Sequence, residues 1–406
     1  MNPRSQCAGF TLIWICIAAV LPVYRVLPVS LKLAWFVAVL GLISISLVLG
    51  RVSRPMFPAV WLFAGFSALI ATVTATDNAV VSENLYVGAQ LFLLIGVGPF
   101  AMRWMVERNV RFTRNVGAAF LVGQTLSSSA GILQVTGVTI LGSTVTQGRA
   151  PGLAAHPNTL GVLALVAILI CVYELTQHRR RKVIFSVTVI LILNIGGLLA
   201  TGSLSSLLAG AFGILVLAVC IRDRVSNVLR IGIFIGLLSW LILSLTSFSE
   251  SLRTPADRFM QVTGQTSAES TWGIRLRTYE FAWSSISREP LFGVGLSPER
   301  GVTFDGITVA HNIFLRAWFQ GGLLLAISVA LIIGAIAIVA LRSMWIGESG
   351  LAAGLLVAMM GFALTSAFFE QPDYWLPVLL AWASLGHISR EPQQANVSPV
   401  EAGVTT

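Results

Sequence analysis

Apolar runs of about 18 or more residues recur from one end of this chain to the other, each long enough to cross ~30 Å of hydrocarbon as a helix. Inside a bilayer every peptide group must find its hydrogen-bond partner within the protein, which leaves helices or closed barrels, and runs of this length are helical. Composition agrees with the helical choice. Of 406 residues 56% are hydrophobic and 11% charged, and mean hydropathy is +0.84. One soluble core cannot hide that much apolar surface. The expected fold is all-α, a polytopic membrane protein of about twelve transmembrane helices.

The spans are expected near residues 9–24, 28–50, 56–75, 84–106, 116–138, 157–177, 183–202, 203–221, 228–248, 315–341, 351–369 and 372–388. Only "ATGSLS" separates the seventh from the eighth. The first span follows "MNPRSQCAG" with no small-residue cleavage site, so it reads as an uncleaved anchor.

The net charge of +9 points to a nucleic-acid partner only until its distribution is read. With a cytoplasmic N-terminus, alternate connections carry Arg51 and Arg54; Arg103, Arg108, Arg111 and Arg114; Arg179, Arg180, Arg181 and Lys182; Arg222, Arg224 and Arg230; and Arg342. The opposite short connections carry little beyond Arg25, Lys32 and Arg149. This is the positive-inside bias, which places both termini in the cytoplasm. The basic residues then report topology and anionic lipid headgroups, not DNA or RNA. Cys7, Cys16, Cys171 and Cys220 fall in spans or at cytoplasmic ends, none as a CxxC pair, so neither a disulfide nor a zinc site is expected.

One connection stands apart. Residues 249–310 form a polar outer loop between the ninth and tenth spans, far longer than any other. Within it, "TWGIRLRTYEFAWSSISREP" sets Ile274, Tyr279, Phe281, Trp283 and Ile286 among charges and stops at Pro290, the pattern of an amphipathic helix at the interface or over a cavity. The G-x-G of "PLFGVG" follows no strand, so it is no dinucleotide fingerprint. The domain organisation is a transmembrane domain over 1–388 and a polar cytoplasmic tail over 389–406, without apolar periodicity and read as disordered.

The outer connections hold the candidate chemistry. "GRAPGLAAHPNTLG" supplies Arg149, His156 and Asn158; the loop helix supplies Arg275 and Arg277; and "AHNIFLRAWFQGG" opens the tenth span with His311 and Asn312, Arg316 following one turn later. Arginine's planar fork suits phosphate oxygens, and two arginines can clamp a diphosphate and stabilise charge growing on it as it leaves. A histidine can take the proton of an attacking hydroxyl, with Asn312 orienting the imidazole or a sugar hydroxyl. Plainer roles compete at each position. His311–Asn312 would cap and anchor a helix, Arg149 would snorkel or bind lipid, and Arg275 and Arg277 would pair with Glu269, Glu280 and Glu289 on a solvated face. His156, before Pro157, reads as structural, and Gly321–Gly322 as a close helix-packing point. Concentration on one face favours the site.

Two absences narrow the class. No carboxylate pair of the DxD type and no Walker motif is present, so neither a metal-bound nucleotide sugar nor ATP is expected. The span interiors hold almost no ionisable residues, which weakens an ion-coupled transporter.

"GRAPGLAAHPNTLG", "GIRLRTYEFAWSSISREPLFGVG" and "AHNIFLRAWFQGG", in that order over about residues 115–370, resemble the O-antigen ligase/O-antigen polymerase family. The resemblance implies a GT-C-like architecture in the inner membrane with its active face on the periplasmic or outer side. It implies a glycosyltransferase with no metal and no cofactor, whose donor is a polyprenyl-diphosphate-linked glycan and whose acceptor is a lipid A core or a growing glycan. Arg149 and Arg275 would bind the diphosphate and His311 would be the base, with Asn158, Arg277 and Asn312 in support. Two positions depart from the family pattern. A basic residue common in a Ser-Arg or Ser-Lys pair is Leu204 here, after Ser203, and an acidic residue common before the glycines is Gln320. Ligase and polymerase stay open, the former slightly favoured, with a lipid or glycan transporter as the alternative class.

Overall fold

The computed structural model describes residues 3–75, 81–145, 148–177, 180–221, 232, 271–366 and 368–385. The expected ninth span, the first part of the long outer loop, and the tail over 389–406 lie outside the described residues.

Among the described residues there is no β-strand, only two isolated bridges. The helices are α1 (Pro3–Val20), α2 (Val29–Val48), α3 (Pro58–Val73), α4 (Val81–Leu91) and α5 (Gly98–Arg108), then α6 (Phe112–Val135), α7 (Pro157–Gln177), α8 (Arg181–Ala200) and α9 (Leu204–Cys220). They continue as α10 (Thr271–Arg288), α11 (Ile313–Ile346), α12 (Gly350–Ala363) and α13 (Pro372–Ser384). Among the described residues six helical segments are long and apolar enough to cross a membrane, and four shorter apolar helices accompany them. The chain is therefore an all-helical, multi-pass membrane protein. The seventh and eighth expected spans are separate helices: α8 stops at Ala200 and Ser203 caps α9, its hydroxyl accepting from the Ser206 amide.

Two expected spans are not simple rods. The fourth is α4 and α5 joined by a π-helical segment, Phe92–Val97. Pro99 follows at once and has no N–H to return to the preceding turn, which accounts for the local widening. The tenth, α11, is broken at Gly322, whose φ of 77° and ψ of −175° are not helical. Gly321–Gly322 is thus not merely a packing point, because Gly322 supplies a backbone conformation that other residues resist.

Helix α7 is the centre of the bundle. It is apolar all round and buried along most of its length, packing against α6, α8, α9 and α12. Helices α9 and α12 approach so closely that a Cβ on Gly213 would lie 2.9 Å from the Gly354 carbonyl oxygen, and one on Gly354 2.8 Å from that of Gly213. Buried polar side chains pair across helices: Ser128 Oγ donates to Asn194 Oδ1 (3.0 Å), and Asn194 Nδ2 donates to Thr125 Oγ1 (3.2 Å). In a medium without water such groups need each other.

Long-range contacts gather the connections onto one end of this bundle. The Ala150 amide donates to the Ala200 carbonyl, Asn312 Nδ2 reaches the Leu364 carbonyl, the Ser297 amide donates to Asn84 Oδ1, and Arg25 meets Asp373. The connections after α1, α6, α8, α10 and α12 and the start of α4 therefore share a polar end. Arg103, bonded to Glu107 and to the Ala383 and Leu385 carbonyls, marks the opposite end.

Candidate functional site: a cationic polar end around two histidines

Helix α10 lies against the start of α11. Thr278, Ala282 and Ile286 recur at four-residue spacing, are buried, and form its inward stripe. Ala282 and Ile286 pack with Ala310 and Phe319. Of the apolar residues expected to define this helix, Trp283 faces outward at 56% exposure and meets Trp318 edge-on, ring centres 5.9 Å apart. Arg275 belongs to the inward stripe, while Arg277, two residues on, is turned about 200° around the axis. Accordingly Arg277 is exposed and its guanidinium lies over Phe304, 5.2 Å from the ring centre. Arg275 is withdrawn: its Nε is buried with no hydrogen-bond partner among the described residues, and burial lowers its pKa.

The glycine turn ending this loop helix has a specific task. Where α11 opens at Gly322, the freed carbonyls of Phe319 and Gln320 accept from the Val294 and Gly295 amides, and the Leu323 amide donates to the Leu291 carbonyl. "PLFGVG" is thus a strap that satisfies the break. A Cβ at Gly293 would collide with the Gln320 carbonyl, so only glycine fits that close approach. Gln320, at the position where the resemblance leads one to expect an acid, accepts from Arg316 Nε (2.7 Å) and donates to the Gly295 and Ser297 carbonyls (3.2 and 3.1 Å). A carboxylate could accept from Arg316 but could not donate to those carbonyls.

His311 sits just before α11. Its Nδ1 is 2.7 Å from the Val309 carbonyl oxygen. A carbonyl only accepts, so Nδ1 carries the proton and Nε2 is left as a bare acceptor. Burial, then the charges of Arg275 and Arg316, push the His311 pKa down to about 4, against a single hydrogen bond that raises it. The imidazole is therefore neutral at pH 7. Asn312 is the N-cap of α11: Oδ1 accepts from the Leu315 amide (3.0 Å) and Nδ2 donates to the Leu364 carbonyl (3.1 Å). Its amide is spent on backbone, so it orients the His311 segment from behind.

Arg149 is nearly fully buried at 9% exposure and is held by acceptors: its Nε donates to the Thr201 carbonyl (2.8 Å) and a terminal nitrogen to Asn158 Oδ1. Asn158 also accepts from Ser203 Oγ (3.2 Å), which ties the start of α7 to that of α9. His156 lies within reach of the charges of Arg149 and His311. Its Nδ1 accepts from the Asn158 amide (3.1 Å). Partial burial, then the charges of Arg149, Arg25 and His311, lower its pKa to about 4. Arg149, His156, His311 and Arg275 thus form one electrostatic neighbourhood. A cleft of about 450 Å³ opens there, lined by Gly142, Ser143, Thr144, Arg149, Pro151, Ala155, His156 and Pro157. Arg149 and His156 wall this cleft, and His311 lies outside its lining.

Three acidic partners escaped the sequence reading. Asp373 is fully buried and binds Arg25 (2.8 Å) and the Tyr24 hydroxyl (3.2 Å). Glu370 pairs with Arg316 at 3.2 Å, and Arg316 also lies over the Phe369 ring, 5.1 Å away. Asp305 orders the 302–309 turn by accepting from the Ile307 and Thr308 amides. Glu370 and Asp373 stand in "FFEQPD" between two apolar helices, and charges so close to a span must find partners. That signal was available.

Helices, topology and this end together define a multi-pass membrane protein with a cationic polar end built from several connections. Residues 189–330 match the family model described as O-antigen ligase. This match bears out the resemblance carried by the three motifs and supports an O-antigen ligase/polymerase family. The matched segment contains Arg275, Arg277, His311 and Asn312; Arg149 and Asn158 precede it. A search of curated proteins finds no match.

Proposed function

We propose that the protein is a metal-independent glycosyltransferase of GT-C-like architecture, transferring a saccharide from a polyprenyl-diphosphate carrier to an acceptor sugar hydroxyl in the manner of an O-antigen ligase. The observation that carries this reading is His311, neutral, with Nε2 bare and beside Arg275. The acceptor hydroxyl attacks the anomeric carbon and gives its proton to His311 Nε2. The bond from that carbon to the phosphate oxygen breaks, with inversion, and the polyprenyl diphosphate leaves with the electron pair. Arg149 and Arg275 bind the diphosphate and offset the charge it gains. Asn158 holds Arg149, Asn312 holds the His311 segment, and Arg277 serves the rim. A bound diphosphate would also offset the cations that depress the His311 pKa, and so strengthen the base as the donor arrives.

The remaining features follow the same reading. The polar end faces the periplasm from the inner membrane, both termini are cytoplasmic, and twelve spans over 1–388 are completed by the expected ninth. The acceptor is a lipid A core; a polymerase extending a glycan uses the same donor chemistry.

The test is reconstituted transfer with purified protein, a polyprenyl-diphosphate-linked saccharide, and either lipid A core or free repeat unit as acceptor. One addition to lipid A core, lost in His311→Ala, supports the ligase; chain growth on the repeat unit supports the polymerase. No transfer to either, with headgroup binding retained, would overturn both in favour of a transporter.

A further inference from the structure

The two histidines of the polar end are held in opposite tautomers. His311 donates through Nδ1 to a carbonyl and keeps a bare Nε2. His156 accepts at Nδ1 from the Asn158 amide, so in its neutral form the proton is on Nε2. Its pKa of about 4 keeps it neutral at physiological pH. His156 is exposed and lines the cleft, and with Nδ1 taken by the Asn158 amide its Nε2–H is the polar group left for a ligand. At Nε2 one histidine of the site can only accept, and the other can only donate.

The rest of the lining narrows the ligand. Among the described residues it contains two hydroxyl side chains, Ser143 and Thr144, one guanidinium already holding Thr201 and Asn158, and no carboxylate. Hydroxyls both donate and accept, a neutral imidazole donates once, and together they match groups that also do both. A volume of about 450 Å³ lies within the range of small-molecule sites. The cleft adjoins the site through His156, which feels the charges of both Arg149 and His311.

We propose that this cleft is a saccharide subsite in which His156 Nε2–H donates to a sugar oxygen, with Ser143 and Thr144 completing the polar wall. This rests on the transferase reading above, and it assigns His156 a binding role, in place of the structural one its position before Pro157 suggested. The sugar is that of the donor or that of the acceptor, which share this chemistry.

The test measures equilibrium binding without transfer, so its failure is distinct from failure of the enzyme reading. Purified full-length protein is titrated with three probes: unlipidated repeat-unit saccharide, core oligosaccharide released from lipid A, and polyprenyl diphosphate bearing no sugar. His156→Ala is expected to weaken one of the two saccharides about fivefold, the size of one neutral hydrogen bond, and to leave polyprenyl diphosphate unchanged. His156→Gln, which retains an N–H donor, is expected to recover most of the loss. Thr144→Trp, at an exposed lining position, fills the cleft and is expected to abolish binding of that saccharide while the protein stays folded. The saccharide affected identifies the source, donor or acceptor. The proposal is overturned if the wild-type protein binds neither saccharide. It is also overturned if His156→Ala and Thr144→Trp both bind them as the wild type does, or if only polyprenyl diphosphate is weakened.

Discussion

The Tyr279 hydroxyl donates to the backbone carbonyl of His311 at 3.0 Å, joining the loop helix α10 to the residue that precedes the broken helix α11. Four residues earlier on the same stripe, Arg275 acts on the same histidine through its charge. The loop helix therefore does two things at once: it holds the imidazole segment in place, and it supplies the cation beside it. Removing the hydroxyl separates them. Tyr279→Phe is expected to lower kcat roughly three- to tenfold, the effect of one lost positioning hydrogen bond, with donor KM little changed. Steady-state kinetics of the two parameters checks the split.

Arg275 and Arg277 are close in sequence and opposite in space. Arg275→Ala is expected to cost the donor about 2 kcal/mol or more of binding, since a charge-assisted contact to phosphate is lost from a partly buried site. Arg277→Ala, which exposes Phe304, is expected to cost under about 1 kcal/mol. Titration of each variant with polyprenyl diphosphate compares them. Equal losses would refute the assignment of faces.

The depressed histidines give a pH signature with a definite sign. Each has a folded pKa of about 4 against an ordinary 6.5, so between those values the unfolded chain binds more protons than the folded one. Stability is then full above about pH 6.5 and falls as pH drops towards 4. Thermal midpoints across that window should decline, and less so in His156→Gln. The base must be neutral to act, so kcat/KM for the free protein should fall with a midpoint near 4. A midpoint at 6.5 would show that burial and the neighbouring arginines do not depress the titrating base.

His311→Ala is expected to lower transfer about 10²- to 10⁴-fold, the range for loss of a positioned general base, while polyprenyl diphosphate binding persists. A direct assay of binding alongside turnover distinguishes this from misfolding.

Asn312→Ala removes a helix cap and the link to Leu364. The expected loss is about 1 kcal/mol of stability from the cap alone. Asn312→Asp should recover the cap but not the link to the Leu364 carbonyl, which the carboxylate cannot make. Melting temperatures of the two variants in one detergent order them.

Gly322→Ala places a Cβ at a positive φ and against the Leu291 carbonyl. It is expected to destabilise the strap by more than the ~1 kcal/mol that a left-handed position costs on its own. Protease susceptibility of the 289–300 segment, compared with the wild type, reports it.

What the sequence determined is local and additive. Hydropathy over about 20 residues fixed the class and located the helices, because a span depends on its own composition. Alternation of charge between connections put the three motifs at one end of the chain's bundle, and their order carried the resemblance that the match over residues 189–330 supports. The 100° step of a helix already distinguished Arg275 from Arg277, and the acids of "FFEQPD" already asked for partners. What only the tertiary structure decided depends on groups distant in sequence. Asp373 finds Tyr24 across 349 positions, and Asn312 finds the Leu364 carbonyl. Gly322 becomes a break because the 291–295 strap is there to satisfy it. The tautomers of His156 and His311 are set by whether an amide or a carbonyl meets Nδ1. Composition records that a histidine is present; which nitrogen holds its proton is decided by the backbone folded against it.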